Sequence, residues 1–379
     1  MTDKLRILLT GGGTGGHIYP LISVVDEIRR ITASQNRDTE IRYFGPASSL
    51  DGEFTNRGIK IERITSSKLR RYFSFQNFID APKFIYSIFE AIFKIFWFMP
   101  DVVFSKGGPG ALAVILAARF YRIPIFIHES DSVPGLTNSF SAKFAEKIFI
   151  SFKRAEQYFP SQKTILTGNP IRRNILNEVP DKGTAKKNLG FDSSQPVILV
   201  IGGSQGAQRI NNFILGSLGE ILDLFQVIHQ TGQANYSEAK KEADFMLQSF
   251  GDFYKNRYQL VGYFQDEIKI KEAFSAADLV ISRAGSGAIF EIAAFGKPSI
   301  LIPLEEAAGD HQRINAYEYS GTGAAIVLEE DNFKLNIFIN QAQKILKDED
   351  LQNKMVAAAK AFAKPDAAQK IAEEILKSV

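Results

Sequence analysis

The residues most able to do chemistry lie in six short polar stretches: GGGTGGH at 11–17, HESDSVPGLTN at 128–138, GNPIR at 168–172, GGSQGA at 202–207, SRAGSGAIFE at 282–291 and DHQRINA at 310–316. The first fits G-x-G-x-x-G through Gly11, Gly13 and Gly16. Glycine lets backbone N–H groups approach a phosphate at a helix N-terminus, and a plain strand-to-helix turn explains the same pattern. A dinucleotide site also needs an acidic residue ending the next strand. That strand ends Phe44-Gly45-Pro46-Ala47, with no carboxylate, so the dinucleotide reading weakens. His17 follows the glycines directly. At a helix start the dipole disfavours imidazolium, so the ring stays neutral and can accept a proton from a substrate. Capping or packing the turn is the competing role.

In the second half, Ser286 and Gly287 open a helix, with Glu291 about one turn in. That carboxylate either complements the helix dipole or accepts both hydroxyls of a ribose while nearby N–H groups hold a diphosphate. His311 and Gln312 stand on a loop edge after SILIP, where Asp310 could cap a helix. Arg172 falls at an inferred domain junction, suited to phosphate, carboxylate or an ion pair.

These stretches are carried by a repeated grammar. Apolar runs at 7–10, 41–44, 101–105 and 125–128 read as buried strands separated by helices. After a broken polar region at 168–195, strands recur at 197–201, 227–229, 259–261, 279–282 and 299–302. This predicts an α/β protein of two doubly wound parallel sheets, with ligands beyond the carboxyl ends of the strands. The expected boundaries are 1–170 and 171–364, with the helix at 365–379 returning to the first domain.

With 379 residues, two cores are the natural expectation. A net charge of +3 gives no reason to expect a nucleic-acid partner, and the absence of cysteine excludes disulfides and thiolate ligands. Residues 1–10 lack a secretion-signal pattern, so a cytosolic location is expected. KFIYSIFEAIFKIFWFM at 83–99 puts Lys83, Ser87, Glu90 and Lys94 on one helical face, with almost everything else apolar. The charges argue against a membrane span. An interfacial helix assisted by Lys68, Arg70 and Arg71 competes with a helix buried on the sheet.

Taken together and in order, the six stretches resemble those of the MurG family, bacterial N-acetylglucosaminyltransferases of glycosyltransferase family 28. The resemblance implies the GT-B fold, two Rossmann-like domains facing a cleft, and no metal or other cofactor. It implies inverting transfer from UDP-N-acetylglucosamine to the 4-hydroxyl of undecaprenyl-diphosphoryl-N-acetylmuramoyl-pentapeptide. The enzyme would sit peripherally on the cytoplasmic face of the bacterial membrane, against anionic lipid, with other cell-wall synthesis proteins as further partners. Carried over by position, Glu291 holds the ribose and Phe264 borders the uracil. Ser204, Ser286, Gly287 and Ala288 surround the diphosphate, Gln312 touches the donor and Arg172 binds nearby. Thr14, Gly15, Gly16 and His17 line the acceptor side, with His17 the leading base and Glu129 behind it. Three positions depart from the family pattern: Ser130-Asp131 for Gln-Asn, where Asp131 loses an amide donor to sugar, Pro109 for an aromatic residue, and Ala288 for threonine. A UDP-N-acetylglucosamine 2-epimerase and a non-catalytic nucleotide-binding membrane scaffold are the competing readings.

Overall fold

The structure is a computed structural model that describes residues 4–65, 76–203, 206–264 and 266–379. Lys68, Arg70, Arg71 and Ser204 lie outside the described residues. The chain divides into two compact units, 1–172 with 364–379, and 173–363.

In the first unit the strands are β1 (Leu5–Thr10), β2 (Thr39–Gly45), β3 (Lys60–Arg63), β4 (Val102–Ser105), β5 (Ile125–Glu129), β6 (Lys147–Ile150) and β7 (Thr164–Leu166). They form one parallel sheet in the order β3-β2-β1-β4-β5-β6-β7. The second unit carries β8 (Val197–Ile201), β9 (Gln226–Gln230), β10 (Tyr258–Val261), β11 (Leu279–Ser282), β12 (Ser299–Leu301) and β13 (Ala325–Val327), in the order β10-β9-β8-β11-β12-β13. Its sheet is also parallel. Strands such as VILVI are buried along their whole length because helices cover both faces. Each order reverses once, between β1 and β4 and between β8 and β11, and the loops leaving those strands are the glycine-rich ones.

The C-terminal helix Ala367–Leu376 belongs to the first unit. Ala368, Ile371, Ala372 and Ile375 are buried in the same cluster as Ile18, Leu21 and Val25 of helix Gly15–Ser34.

Helix Gln76–Phe98 is oriented by its polar residues rather than in spite of them. Ser87 is buried and donates to the Phe84 carbonyl at 2.7 Å. Glu90 accepts from the Thr65 N–H at 2.9 Å and from Lys94 at 2.7 Å, and Lys94 also reaches the Arg63 carbonyl. Ala91, Ile95 and Phe98 pack into the core beside them. The opposite face carries Tyr86, Phe89, Phe93 and Trp97 into solvent, with Phe93 64% and Trp97 71% exposed. Burial on the sheet therefore applies to one stripe of this helix and not to Phe93 or Trp97. Phe120 extends the aromatic surface, since its neighbour Tyr121 donates to the Ile92 carbonyl at 3.3 Å. Among the described residues no helix is long and apolar enough to cross a membrane.

Candidate active site

In the first unit the site is built where the sheet order reverses. Tyr43 of β2 donates to the Gly11 carbonyl at 2.9 Å, and the Ser48 hydroxyl donates to the Gly13 carbonyl at 2.6 Å. These bonds draw two loop carbonyls back toward the β2 side. The loop after β4 crosses close by: Gly108 has φ +86°, and a Cβ there would lie 2.8 Å from the Gly12 nitrogen and 2.9 Å from His17 Nε2. A left-handed backbone conformation and that proximity both require glycine at 108.

Thr14 is the residue before helix Gly15–Ser34, and Gly15, Gly16 and His17 form its first turn. The His17 ring shares a hydrogen bond between Nδ1 and the exposed Thr14 hydroxyl at 2.9 Å. Burial and the nearby Lys106 cation pull the imidazole down to about 4, opposed by Asp131. The ring is neutral at physiological pH. Arg172 comes to the same helix, with its guanidinium carbon 5.0 Å from the centre of the Tyr19 ring and its buried Nε without a hydrogen-bond partner.

Glu129 ends β5 and is buried. One carboxylate oxygen accepts from the Asp131 N–H at 3.0 Å. The other accepts from the Gly135 N–H at 3.1 Å and the Asn138 amide at 2.9 Å. Burial, followed by Asp131, raises its proton affinity above that of an ordinary carboxylate. These three bonds fold the 130–135 loop over the strand end, a role the sequence reading did not assign.

Lys106 and Asn138 are further residues the sequence reading passed over. Asn138 donates to the His128 carbonyl at 3.0 Å as well as to Glu129. Lys106 is buried beside His128, Ser130 and Asn169. Its burial depends on partners 22 and 63 positions away, so local sequence gave no signal of it.

The second unit repeats the plan. Helix Ser286–Ala294 starts just after β11, and the buried Ser286 hydroxyl has no hydrogen-bond partner. Gly287 leaves open space where a side chain would stand, and Ala288 follows half-buried. Glu291 is the sixth residue of this helix, beyond its first turn, so the dipole-complementing role does not apply. Two ties fix the loop before the helix. Arg283 donates to the Ile302 and Pro303 carbonyls at 3.2 and 3.3 Å, and the buried Asn315 amide donates to the Ala284 carbonyl at 3.2 Å. Gln312 accepts from the Leu304 N–H at 3.1 Å. Asp310 does not cap helix His311–Ser320; it is in the left-handed region at φ 59° and pairs with Arg313. Phe264 is buried after β10, its N–H 3.3 Å from the Gln230 side-chain oxygen. Among the described residues no group of three or more His, Asp or Glu could hold a metal ion, and Asp348 caps helix Glu349–Phe362 through the Leu351 N–H.

Residues 7–150 match the family model described as glycosyltransferase family 28 N-terminal domain, and residues 197–371 match that of its C-terminal domain. A UDP-N-acetylglucosamine--N-acetylmuramyl-(pentapeptide) pyrophosphoryl-undecaprenol N-acetylglucosamine transferase of Clostridium kluyveri is 36% identical, covering 93% of this chain and 95% of the relative. The chain belongs to glycosyltransferase family 28. A transferase of the same description from Natranaerobius thermophilus is 35% identical over 99% of this chain and all of its own. The crystal structure of Acinetobacter baumannii MurG superposes with a TM-score of 0.72 at 25% identity, covering 98% of this chain and 99% of that one. A UDP-GlcNAc 2-epimerase from Neisseria meningitidis shares the fold at a TM-score of 0.64 and 17% identity, with 98% and 100% coverage. The sheet pair and these neighbours place this family 28 chain in the GT-B fold class.

Removing the Glu129 carboxylate should loosen the loop that follows it. Glu129→Ala leaves two N–H groups and an amide without this acceptor, and the melting temperature should fall by roughly 5–10 °C. Differential scanning calorimetry checks this; a change below about 1 °C would show that the loop does not depend on Glu129.

Proposed function

We propose that this chain transfers N-acetylglucosamine from UDP-N-acetylglucosamine to the 4-hydroxyl of a lipid-diphosphate-linked N-acetylmuramoyl-pentapeptide, with inversion. The single observation that carries the reading is full-length similarity, at 35–36% identity, to relatives described as N-acetylmuramyl-(pentapeptide) pyrophosphoryl-undecaprenol N-acetylglucosamine transferases. The 4-hydroxyl and the inversion follow from the family resemblance. The geometry supplies chemistry to match.

The second unit takes the donor. The positive end of helix Ser286–Ala294, with the unpartnered Ser286 hydroxyl and the small residues Gly287 and Ala288, suits a diphosphate. Glu291 accepts the ribose hydroxyls, Phe264 borders the uracil, and Gln312 and Ser204 complete the contacts. The helix end and its N–H groups stabilise the charge that develops on UDP as it leaves.

The first unit takes the acceptor along Thr14, Gly15, Gly16 and Asp131, with Arg172 available to phosphate. In the tautomer that carries its proton on Nδ1 and donates it to Thr14, Nε2 is the proton acceptor. The acceptor oxygen attacks the anomeric carbon, its proton passes to Nε2, and the bond to the diphosphate breaks with its electron pair leaving on UDP. At about 4 the unliganded imidazole is a weak base. The negative charge of bound diphosphate raises it toward the working pH. Glu129, fully engaged in its loop, acts by holding Asp131 in place.

The exposed aromatic face of helix Gln76–Phe98 meets the membrane that holds the acceptor's lipid. Exposed Arg119 and Arg122 beside Phe120 add charge for anionic headgroups. This makes the protein peripheral, on the cytoplasmic side.

Replacing Glu291 by Ala should raise the donor KM by roughly tenfold with a smaller change in kcat, because a ribose contact exists in ground and transition states alike. Discrimination against the 2'-deoxyribose donor should fade, and an unchanged KM would remove Glu291 from the site. His17→Ala should leave the donor KM nearly unchanged and lower kcat by roughly 10²–10⁴. A loss below about tenfold would make His17 a structural residue. The double variant Phe93→Ser, Trp97→Ser should bind liposomes weakly, most visibly at high salt, and lose transfer to a long-chain lipid acceptor while keeping transfer to a water-soluble one. Equal loss on both acceptors with a lowered melting temperature would contradict membrane docking.

A further inference from the structure

The glycine loop after β1 is gripped from the β2 side at two of its carbonyls. Tyr43 is fully buried, its ring stacked on Phe54 with 4.3 Å between centroids, and its hydroxyl donates to the Gly11 carbonyl at 2.9 Å. To reach that carbonyl the ring passes over Gly45, two residues along the strand, where a Cβ would collide with the Tyr43 oxygen. The Ser48 hydroxyl accepts from the Leu50 N–H at 3.1 Å, which leaves its own hydrogen for the Gly13 carbonyl at 2.6 Å. A Cβ on Gly13 would stand 3.0 Å from the Ala47 carbonyl oxygen, so the glycine loop is seated directly on residues 46–48.

In a planar trans peptide the carbonyl and the N–H that follows it point in opposite directions. Holding the Gly11 and Gly13 carbonyls toward β2 therefore turns the Gly12 and Thr14 N–H groups away from it. The β4 loop agrees: it lies on the far side of β1, and a Cβ on Gly108 would stand 2.8 Å from the Gly12 nitrogen. Among the described residues nothing accepts from either N–H. The Thr14 N–H joins those of Gly15 and Gly16, the first donors of helix Gly15–Ser34. Thr14 does not cap them, because its hydroxyl is bonded to His17. Three glycines in a row carry no side chain to bias these peptide planes. A flipped 13–14 peptide would present its carbonyl oxygen where its N–H now stands, and an oxygen repels an anion.

We propose that Tyr43 and Ser48 are positioning residues for the acceptor. Their hydroxyls fix the two loop peptides so that the Thr14 N–H, with those of Gly15 and Gly16, faces the acceptor's diphosphate. The Tyr43 tie sets the plane beside the β4 loop, and the Ser48 tie sets the plane that meets the ligand. The proposal rests on this loop taking the acceptor, and one arm of its test needs no turnover.

The Thr14 amide reports on itself. In full-length protein labelled with ¹⁵N-threonine, with Thr14→Ser identifying its signal, added inorganic diphosphate should shift the Thr14 N–H resonance saturably. In Ser48→Ala and in Tyr43→Phe the midpoint of that titration should rise roughly five- to tenfold, the effect of losing one hydrogen bond. In the transfer assay both variants should raise the acceptor KM by a similar factor and leave the donor KM within about twofold, a split that general loosening of the fold does not produce. A parent Thr14 signal that ignores diphosphate, or a variant titration that coincides with the parent's, would overturn the proposal. So would donor and acceptor KM rising together. Should Tyr43→Phe fail to fold, Ser48→Ala decides alone by the same criteria. Titrations that behave as expected in a protein that transfers no sugar would instead remove the proposed function and leave the two positioning residues standing.

Discussion

Between β1 and β4, where the order of the first sheet reverses, two loops run so close that residue 108 has no room for a side chain. Much of the site follows from that approach. It holds the His17 ring against a backbone rather than a flexible side chain, and it seals Lys106 below the glycines. The Glu129 carboxylate then fixes the third loop by taking two backbone N–H groups and an amide. A parallel sheet supplies such a place because adjacent strands leave in the same direction and their loops diverge only at the reversal. In the second unit Arg283 and Asn315 tie the loop after β11 to the end of β12 and to helix His311–Ser320, beside the start of helix Ser286–Ala294.

A second consequence of polar pairing is seen away from the site. Helix Gln76–Phe98 turns Glu90 and Lys94 inward because residues 63–65 offer them an N–H and a carbonyl, and Ser87 is buried beside them on the Phe84 carbonyl. The aromatic residues are thereby left outside. Removing large aromatic side chains from water is worth several kcal/mol in total, so an unburied row of them has a strong drive to find cover. Under the proposed function, an acceptor anchored by a lipid tail would place that cover beside the reaction.

Apart from β6 (Lys147–Ile150), which the sequence reading passed over, the strands with continuous apolar runs were legible because parallel strands buried on both faces carry no polar alternation. β3 was not, since its residues Lys60-Ile61-Glu62-Arg63 lie at the sheet edge and three of the four are charged. β7 and β13 are edge strands of three residues, too short for periodicity to register. The glycine loops and His17 stood out because their chemistry is local. Lys106 did not, because a lysine after an apolar strand ordinarily reads as a solvated charge. Only the fold brings His128 and Asn169 around it. Similarly, the sequence placed Lys83, Ser87, Glu90 and Lys94 on one face but did not tell which way that face turns.

The central claim is that a sugar is transferred to an acceptor, where a neighbour of the same fold is described as a UDP-GlcNAc 2-epimerase. The most direct measurement is NMR analysis of the products formed from UDP-N-acetylglucosamine with and without a short-chain lipid-diphosphate muramoyl-pentapeptide. The account predicts a β-linked disaccharide and one UDP for each, formed only when the acceptor is present. A sugar nucleotide epimerised at C2 without acceptor, and no disaccharide with it, would contradict the account.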